Sequence, residues 1–129
     1  MTYLKPAALT RKVINPLVSV LRTGGVATLT VAGRSTGRRR TVPVIPVAVH
    51  GKRYLVSPYG ESDWVRNLRS AGRGELHGRG ERESIKATEV PAAERAPIIA
   101  SYREIAGRTV EPCFTGMPDP GDHPVFRIE

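Results

Sequence analysis

The chain contains little cysteine, few aromatic residues and fewer acidic than basic residues. Cys113 is the one cysteine among 129 residues, which excludes a disulfide within the chain and fits a reducing compartment. Aromatic residues make up only 5% of the chain, and no apolar run approaches the length of a membrane-spanning helix. We therefore expect a cytoplasmic protein that folds as a single domain.

Residue types that carry metal or covalent chemistry are also sparse. His50, His77 and His123 are far apart, with no carboxylate or cysteine at metal-ligand spacing, so we expect no metal site. No serine stands in a nucleophile-elbow sequence, and Gly78-Arg79-Gly80 lacks the rest of a dinucleotide-binding fingerprint. If the chain is an enzyme, a bound cofactor must therefore supply the chemistry.

Arginine, by contrast, is abundant. There are 16 arginines and 4 lysines against 12 acidic residues, which gives a formal charge of +8. Arginine binds oxyanions through planar, paired N–H donors, so phosphate or carboxylate groups are the expected ligands. Nucleic acid is not expected as a partner, because aromatic residues do not alternate with the basic ones and no helix-turn-helix or RNA-recognition motif is present.

Periodicity and turn signals predict an α+β fold, mainly β with helices packed outside. We expect an N-terminal helical arm over residues 1–24 and one barrel domain over residues 25–129. The predicted strands are 26–32, 41–49, 53–57, 74–78, 81–90 and 123–129, and the predicted helices are 63–71 and 91–106. Residues 109–124 are predicted as a loop. Six antiparallel strands, an N-terminal helix and two further helices indicate a small β-barrel.

Residues 33–43, named here the arginine loop, form the most informative segment. The loop places four arginines, with hydroxyl side chains and two glycines, between two predicted strands. Glycines free backbone N–H groups to point at one ligand, and arginines add fixed positive charge, which suits a phosphate or a carboxylate. A solvated basic turn is the alternative interpretation on charge alone.

A second segment, residues 57–68, runs from the end of a strand into the start of a helix. Free N–H groups and the positive end of the helix dipole at such a junction attract anions. Trp64 and Leu68 have helical spacing that favours core positions. Asn67 suits either a backbone carbonyl or a ligand, and Tyr59 either packs on its loop or faces a ligand.

Two linked motifs in the sequence resemble those of the deazaflavin-dependent nitroreductase family. They read Thr30-x-x-Gly33-Arg34-x-Thr36-Gly37-x-x-Arg40-x-x-Pro43, then Ser57-x-x-Gly60 with Trp64-x-x-Asn67-Leu68. The resemblance extends over roughly residues 10–129. It implies a split β-barrel that binds coenzyme F420, whose phosphodiester and polyglutamate tail suit an arginine-rich rim.

The resemblance also implies a set of site residues. The expected cofactor-binding residues are Arg34, Ser35, Thr36, Gly37, Arg38, Arg40, Thr41, Val42, Pro43, Val44, Ser57, Pro58, Tyr59, Gly60, Trp64 and Asn67. A proton for the reaction would come from Tyr59, Ser57 or water. Ser35 stands where the family has lysine, and Pro58 or Tyr59 where a second lysine is frequent.

The implied function is hydride transfer from reduced deazaflavin to an electron-poor small molecule, such as an enone, a quinone or a nitro compound. The departures from the family pattern make nitroimidazole reduction the least expected of these. A non-catalytic deazaflavin- or lipid-binding barrel and a flavin mononucleotide-binding homologue are the alternatives. Whether the chain forms a homodimer, and whether the N-terminal arm touches a membrane surface, is left open.

Overall fold

Seven strands form the framework of the protein. The computed structural model describes residues 26–78 and 80–129, so the predicted N-terminal arm over residues 1–24 lies outside the described residues. The strands are β1 (Ala27–Ala32), β2 (Arg39–Val44), β3 (Val47–Val49), β4 (Lys52–Val56), β5 (Arg73–Gly78), β6 (Glu81–Glu89) and β7 (Val125–Ile128).

Three α-helices lie among the described residues: α1 (Asp63–Ala71), α2 (Ala96–Ala106) and α3 (Glu111–Gly116). Single turns of 3-10 helix are found at Ala92–Glu94, Gly107–Thr109 and Pro120–Asp122. Helix α1 has the bounds that the sequence predicted. Ser62 is its N-cap in extended backbone, and Gly72 ends it with a left-handed φ of 73°.

The strands pair antiparallel in the order β2-β1-β5-β6-β7-β4-β3. Strands β2 and β3 lie at opposite ends of this order, yet only Ile45 and Pro46 separate them in the chain. Three Cα steps span at most about 11 Å, so the two ends of the sheet must lie close together and the sheet must curl. The described residues show no β2–β3 pairing, and the barrel is split at this point.

The α+β class and the antiparallel barrel are confirmed, but the predicted count of six strands is wrong. Residues 41–49, predicted as one strand, form β2 and β3, because Pro46 has no N–H to donate to a ladder and the chain bends there. The predicted loop 109–124 contains α3, with Pro112 in its first turn, where proline is tolerated. Three helices therefore stand where two were predicted.

Two core clusters occupy the two sides of the curled sheet. The first core cluster packs α1 onto the sheet and includes Leu29, Leu55, Trp64, Leu68 and Phe126. The second core cluster lies under α2 and α3 and includes Val47, Val90, Ile99, Tyr102, Phe114 and Val125. Side chains alternate along a strand, so the neighbours Val125 and Phe126 on β7 belong to opposite clusters.

No helix in residues 26–78 or 80–129 is long and apolar enough to cross a membrane.

Replacing Gly74 with alanine tests how closely β5 approaches β1. The added Cβ would lie 2.8 Å from the backbone carbonyl oxygen of Thr30, which cannot turn aside. We expect Gly74→Ala to lower the free energy of unfolding by about 1–3 kcal/mol, measured by urea denaturation. Gly116→Ala is the matched control, because its Cβ meets nothing within 4 Å. An equal loss in both variants would contradict this close approach.

Candidate functional site

A cavity of about 760 Å³ opens where the two core clusters meet. Its size is typical of a site for a small molecule or a cofactor. Most of the predicted cofactor-binding residues line it: Arg34, Ser35, Thr36, Arg40, Thr41, Val42, Pro43, Val44, Pro58, Tyr59, Trp64 and Asn67. The fold thus brings the two predicted segments, residues 33–43 and 57–68, to one site.

Other lining residues were not among those predicted: Val26, Val31, Gly33, Ile45, Val56, Ser62, Asp63, Tyr102, Thr109 and Val110. Val31 and Val56 belong to strands whose inward side lines the cavity, and Ile45 lies in the link between β2 and β3. Tyr102 lies in the apolar stripe of α2 and packs in the second core cluster. Its hydroxyl, a polar group within that stripe, is the sequence signal that could have marked it.

The arginine loop closes on itself as a tight turn between β1 and β2. The N–H of Gly33 donates to the carbonyl of Arg38 at 2.7 Å, and the N–H of Gly37 donates to the carbonyl of Gly33 at 2.9 Å. These two glycine N–H groups are therefore used within the turn, and the prediction that backbone N–H groups of the loop face a ligand depends on the other residues of the loop. Gly37 and Arg38, both predicted to bind the cofactor, lie outside the cavity lining.

The arginines of the loop divide between the two sides of the β1–β2 hairpin. Arg34 and Arg40 line the cavity. Arg39 lies elsewhere, and its guanidinium donates to a carboxylate oxygen of Glu75 at 2.9 Å. Residues that alternate along β2 point to opposite sides, so the neighbours Arg39 and Arg40 separate in this way. The cavity therefore has two positively charged side chains from the loop.

Asn67 holds Arg34 in place. Its side-chain oxygen accepts a hydrogen bond from the Arg34 backbone N–H at 3.0 Å and a second from the Arg34 guanidinium at 2.8 Å. Asn67 is 5% exposed, so both bonds are partly buried although Arg34 itself is partly exposed. Asp63 also lies near, 3.6 Å from the Arg34 guanidinium. Asn67 thus fixes the arginine loop to α1 and orients its first arginine.

Ser62 and the start of α1 form part of the same wall. Ser62 Oγ is the one buried side-chain oxygen without a hydrogen-bond partner among the described residues. As the N-cap residue it does not bond the helix N–H groups with its side chain. The Ser62 oxygen is enclosed in protein, so what this wall offers an anion is the partial positive charge of the helix N-terminus.

Ser57 does not face the cavity. It is fully buried, and its hydroxyl donates to the carbonyl of Gly60 at 2.6 Å. Neither Ser57 nor Gly60 is a lining residue, in contrast to the sequence-based expectation. Gly60 has a left-handed φ of 79° that permits the turn before α1. The two residues therefore shape the loop that carries Pro58 and Tyr59.

His123 fastens that loop to the C-terminal part of the chain. The ring is fully buried, with Nδ1 3.0 Å from the carbonyl oxygen of Ser57 and Nε2 2.6 Å from that of Met117. The ring nitrogen that carries a proton donates to the carbonyl it faces. The ring of Phe114 packs against the imidazole at 4.3 Å between centroids. His123 thus links loop 57–60 to the C-terminal part of the chain on the side away from the cavity.

Two tyrosines lie at the cavity. Tyr59 is 68% exposed, and Tyr102 is 3% exposed. Burial raises the pKa of Tyr102 above its ordinary value, and the nearby phenol of Tyr59 and thiol of Cys113 raise it further. Tyr102 therefore stays a neutral phenol. The described residues contain no group of three or more histidine, cysteine or acidic side chains that could hold a metal ion.

A family model described as F420H(2)-dependent quinone reductase matches residues 5–110. Among curated proteins, none matches the chain. The match spans most of the sequence and includes both motif segments.

Three solved structures share the fold. An F420-H2 dependent reductase, FDR-A, is 21% identical over 81% of this chain and 94% of that chain, with a TM-score of 0.59. A domain-swapped dimer is 20% identical over 81% and 80%, with a TM-score of 0.59. A FAD-binding protein from Mesorhizobium loti is 20% identical over 88% and 86%, with a TM-score of 0.55. At these identities the similarity establishes the fold.

Replacing Asn67 with alanine tests its hold on Arg34. We expect Asn67→Ala to lower the free energy of unfolding by about 1–3 kcal/mol, because the partly buried N–H groups of Arg34 lose their acceptor. Urea denaturation measures the loss. Asn67→Asp keeps an oxygen at this position and is the matched control. If the alanine variant proved as stable as the aspartate variant, the two bonds would not hold the loop.

Proposed function

Because the chain belongs to the F420H(2)-dependent quinone reductase family, we propose that its cavity holds reduced coenzyme F420 beside a small electron-poor acceptor, with a quinone as the leading candidate. Family membership gives the cofactor and the reaction class: the protein is an F420-dependent oxidoreductase. The acceptor and the roles of individual residues are the proposal. Enones and nitro compounds stay as further predicted acceptors.

One observation carries the proposal: a single cavity joins a cationic wall to an apolar wall. Arg34 and Arg40 suit the oxygens of a phosphodiester. Val42, Val44 and Trp64 give the apolar surface that a flat tricyclic ring needs. The residues present therefore fit the coenzyme.

In this arrangement the chain's own residues bind and orient. Arg34, fixed by Asn67, and Arg40 hold the phosphate, and the hydroxyls of Ser35 and Thr36 supply further donors. When bound, the reduced deazaflavin supplies a hydride from C5 of its ring. The protein contributes position and exclusion of water, which lower the entropic part of the barrier.

We assign the proton relay to Tyr59 rather than to Ser57. Tyr59 lies on the cavity rim and is largely exposed, so its hydroxyl can exchange protons with water. The Ser57 hydroxyl is buried and already donates to the Gly60 carbonyl. Ser57 therefore acts by shaping the loop that carries Tyr59.

Binding of the purified cofactor tests this function directly. Isothermal titration calorimetry with coenzyme F420, and separately with flavin mononucleotide, should show tighter binding of F420, because its phosphodiester and glutamate tail add contacts to arginine. Absence of F420 binding at tens of micromolar would overturn the proposal. Tighter binding of flavin mononucleotide would favour a flavin-binding homologue. Binding of F420 without turnover of quinones, enones or nitro compounds would favour a non-catalytic binding protein.

Single substitutions in the arginine loop test the phosphate end of the site. We expect Arg40→Ala to weaken F420 binding about 10- to 100-fold, the effect of losing a charged hydrogen bond. Thr36→Ala should weaken it by less, because the lost donor is neutral. Calorimetric titration measures both.

Arg82→Ala is the control for charge, because Arg82 is exposed on β6 and lies outside the cavity lining. It removes one positive charge without touching the site. Thermal denaturation of all three variants checks that the fold is kept. If Arg40→Ala and Thr36→Ala bound F420 as tightly as Arg82→Ala, the loop would be only a basic turn.

A further inference from the structure

We propose that the Tyr102 hydroxyl donates a hydrogen bond to the carbonyl oxygen of the hydride acceptor during its reduction. The inference rests on the proposed function, because it places the acceptor in the same cavity as the reduced deazaflavin. It adds a catalytic residue from α2, outside both motif segments, and it names the substrate class as a flat carbonyl compound of the quinone type.

The position of Tyr102 is set by packing. Its ring lies in the second core cluster, with its centroid 6.2 Å from that of Phe114 in an edge-to-face contact. Such a contact fixes the ring plane. Tyr102 nevertheless lines the cavity, so a rigid ring presents part of itself to the ligand space.

The hydroxyl of Tyr102 is the polar group of this side chain. Among the described residues the structure records no hydrogen bond of the Tyr102 hydroxyl, and Ser62 Oγ is the only fully enclosed side-chain oxygen there that lacks a partner. The Tyr102 oxygen is therefore not sealed in protein. Tyr102 lines the cavity, and in this proposal its hydroxyl lies at that surface. A buried hydroxyl with an open side is a donor available to a ligand.

The surroundings of this hydroxyl define the acceptor. Ile45, Val56 and Val110 give apolar walls beside it, and Thr109 adds one further hydroxyl. A flat, uncharged molecule with a carbonyl oxygen matches one fixed donor among apolar walls. An anionic hydride acceptor would need a positively charged partner in the cavity. Arg34 and Arg40 are already assigned to the cofactor phosphate, so an uncharged molecule fits better.

The transfer of electrons and protons to the hydride acceptor is complete without any net change in Tyr102. The acceptor gains a hydride, and with it two electrons, from the reduced deazaflavin, which becomes oxidised. The acceptor then gains one proton from water by way of Tyr59. Tyr102 keeps its own proton throughout, as its burial favours, and stabilises the negative charge that develops on the acceptor oxygen.

The test compares Tyr102→Phe with the unchanged protein in reduction of menadione by reduced F420. Loss of one fixed donor to a developing oxyanion lowers turnover by about 100-fold, so we expect a fall of that size in kcat/KM. F420 binding measured by calorimetry should be unchanged, because the donor serves the acceptor alone. Tyr54→Phe is the matched control, since Tyr54 packs in the second core cluster and lies outside the cavity lining.

A second hydride acceptor distinguishes hydrogen-bond donation by Tyr102 from a role in packing alone. Phenazine methosulfate accepts a hydride but has no carbonyl oxygen, so Tyr102→Phe should reduce it at nearly the unchanged rate. An equal loss with both acceptors, or no loss with menadione, would overturn the role of Tyr102 while leaving the proposed function intact. If the unchanged protein fails to bind F420, the proposed function fails and the role of Tyr102 fails with it.

Discussion

A two-residue connection determines the shape of this protein. Ile45 and Pro46 join β2 to β3, the strands at opposite ends of the hydrogen-bonding order. Because so short a link cannot cross a flat sheet of seven strands, the sheet curls until its two ends meet without pairing. The cavity lies along this seam, with Val44 and Ile45 in its lining. The unpaired seam between β2 and β3 thus leaves room for a ligand.

The walls of that cavity differ because they come from different layers. On one wall, Asn67 on α1 turns the basic loop inward through two hydrogen bonds to Arg34. On the other, α2 and the turn after it contribute Tyr102 and Val110 from an apolar cluster. Under the proposed function, the charged wall serves the cofactor phosphate and the apolar wall serves the reaction of a flat molecule. His123 keeps the loop between them from shifting.

Local signals were predictable from the sequence, and contacts between distant residues were not. Helix α1 was predicted with the correct bounds, because its start, its apolar spacing and its terminal glycine all lie within the segment itself. The break at Pro46 was missed, since proline in a strand signals an edge or a bulge as readily as an end. Helix α3 was missed because proline, glycine and aspartate dominate its neighbourhood. Arg34 and Asn67 are separated by 33 positions, so only the fold reveals their bonds.

The split seam also determines which strand edges of the molecule are exposed to other chains. Within the described residues, β2 and β3 are edge strands, and unpaired edges invite strand addition from another chain. Pro43 interrupts the donors on β2, Arg39 and Arg40 repel a second copy of the same edge, and β3 is only three residues long. These features of β2 and β3 therefore disfavour strand addition along the same seam at which the cavity lies.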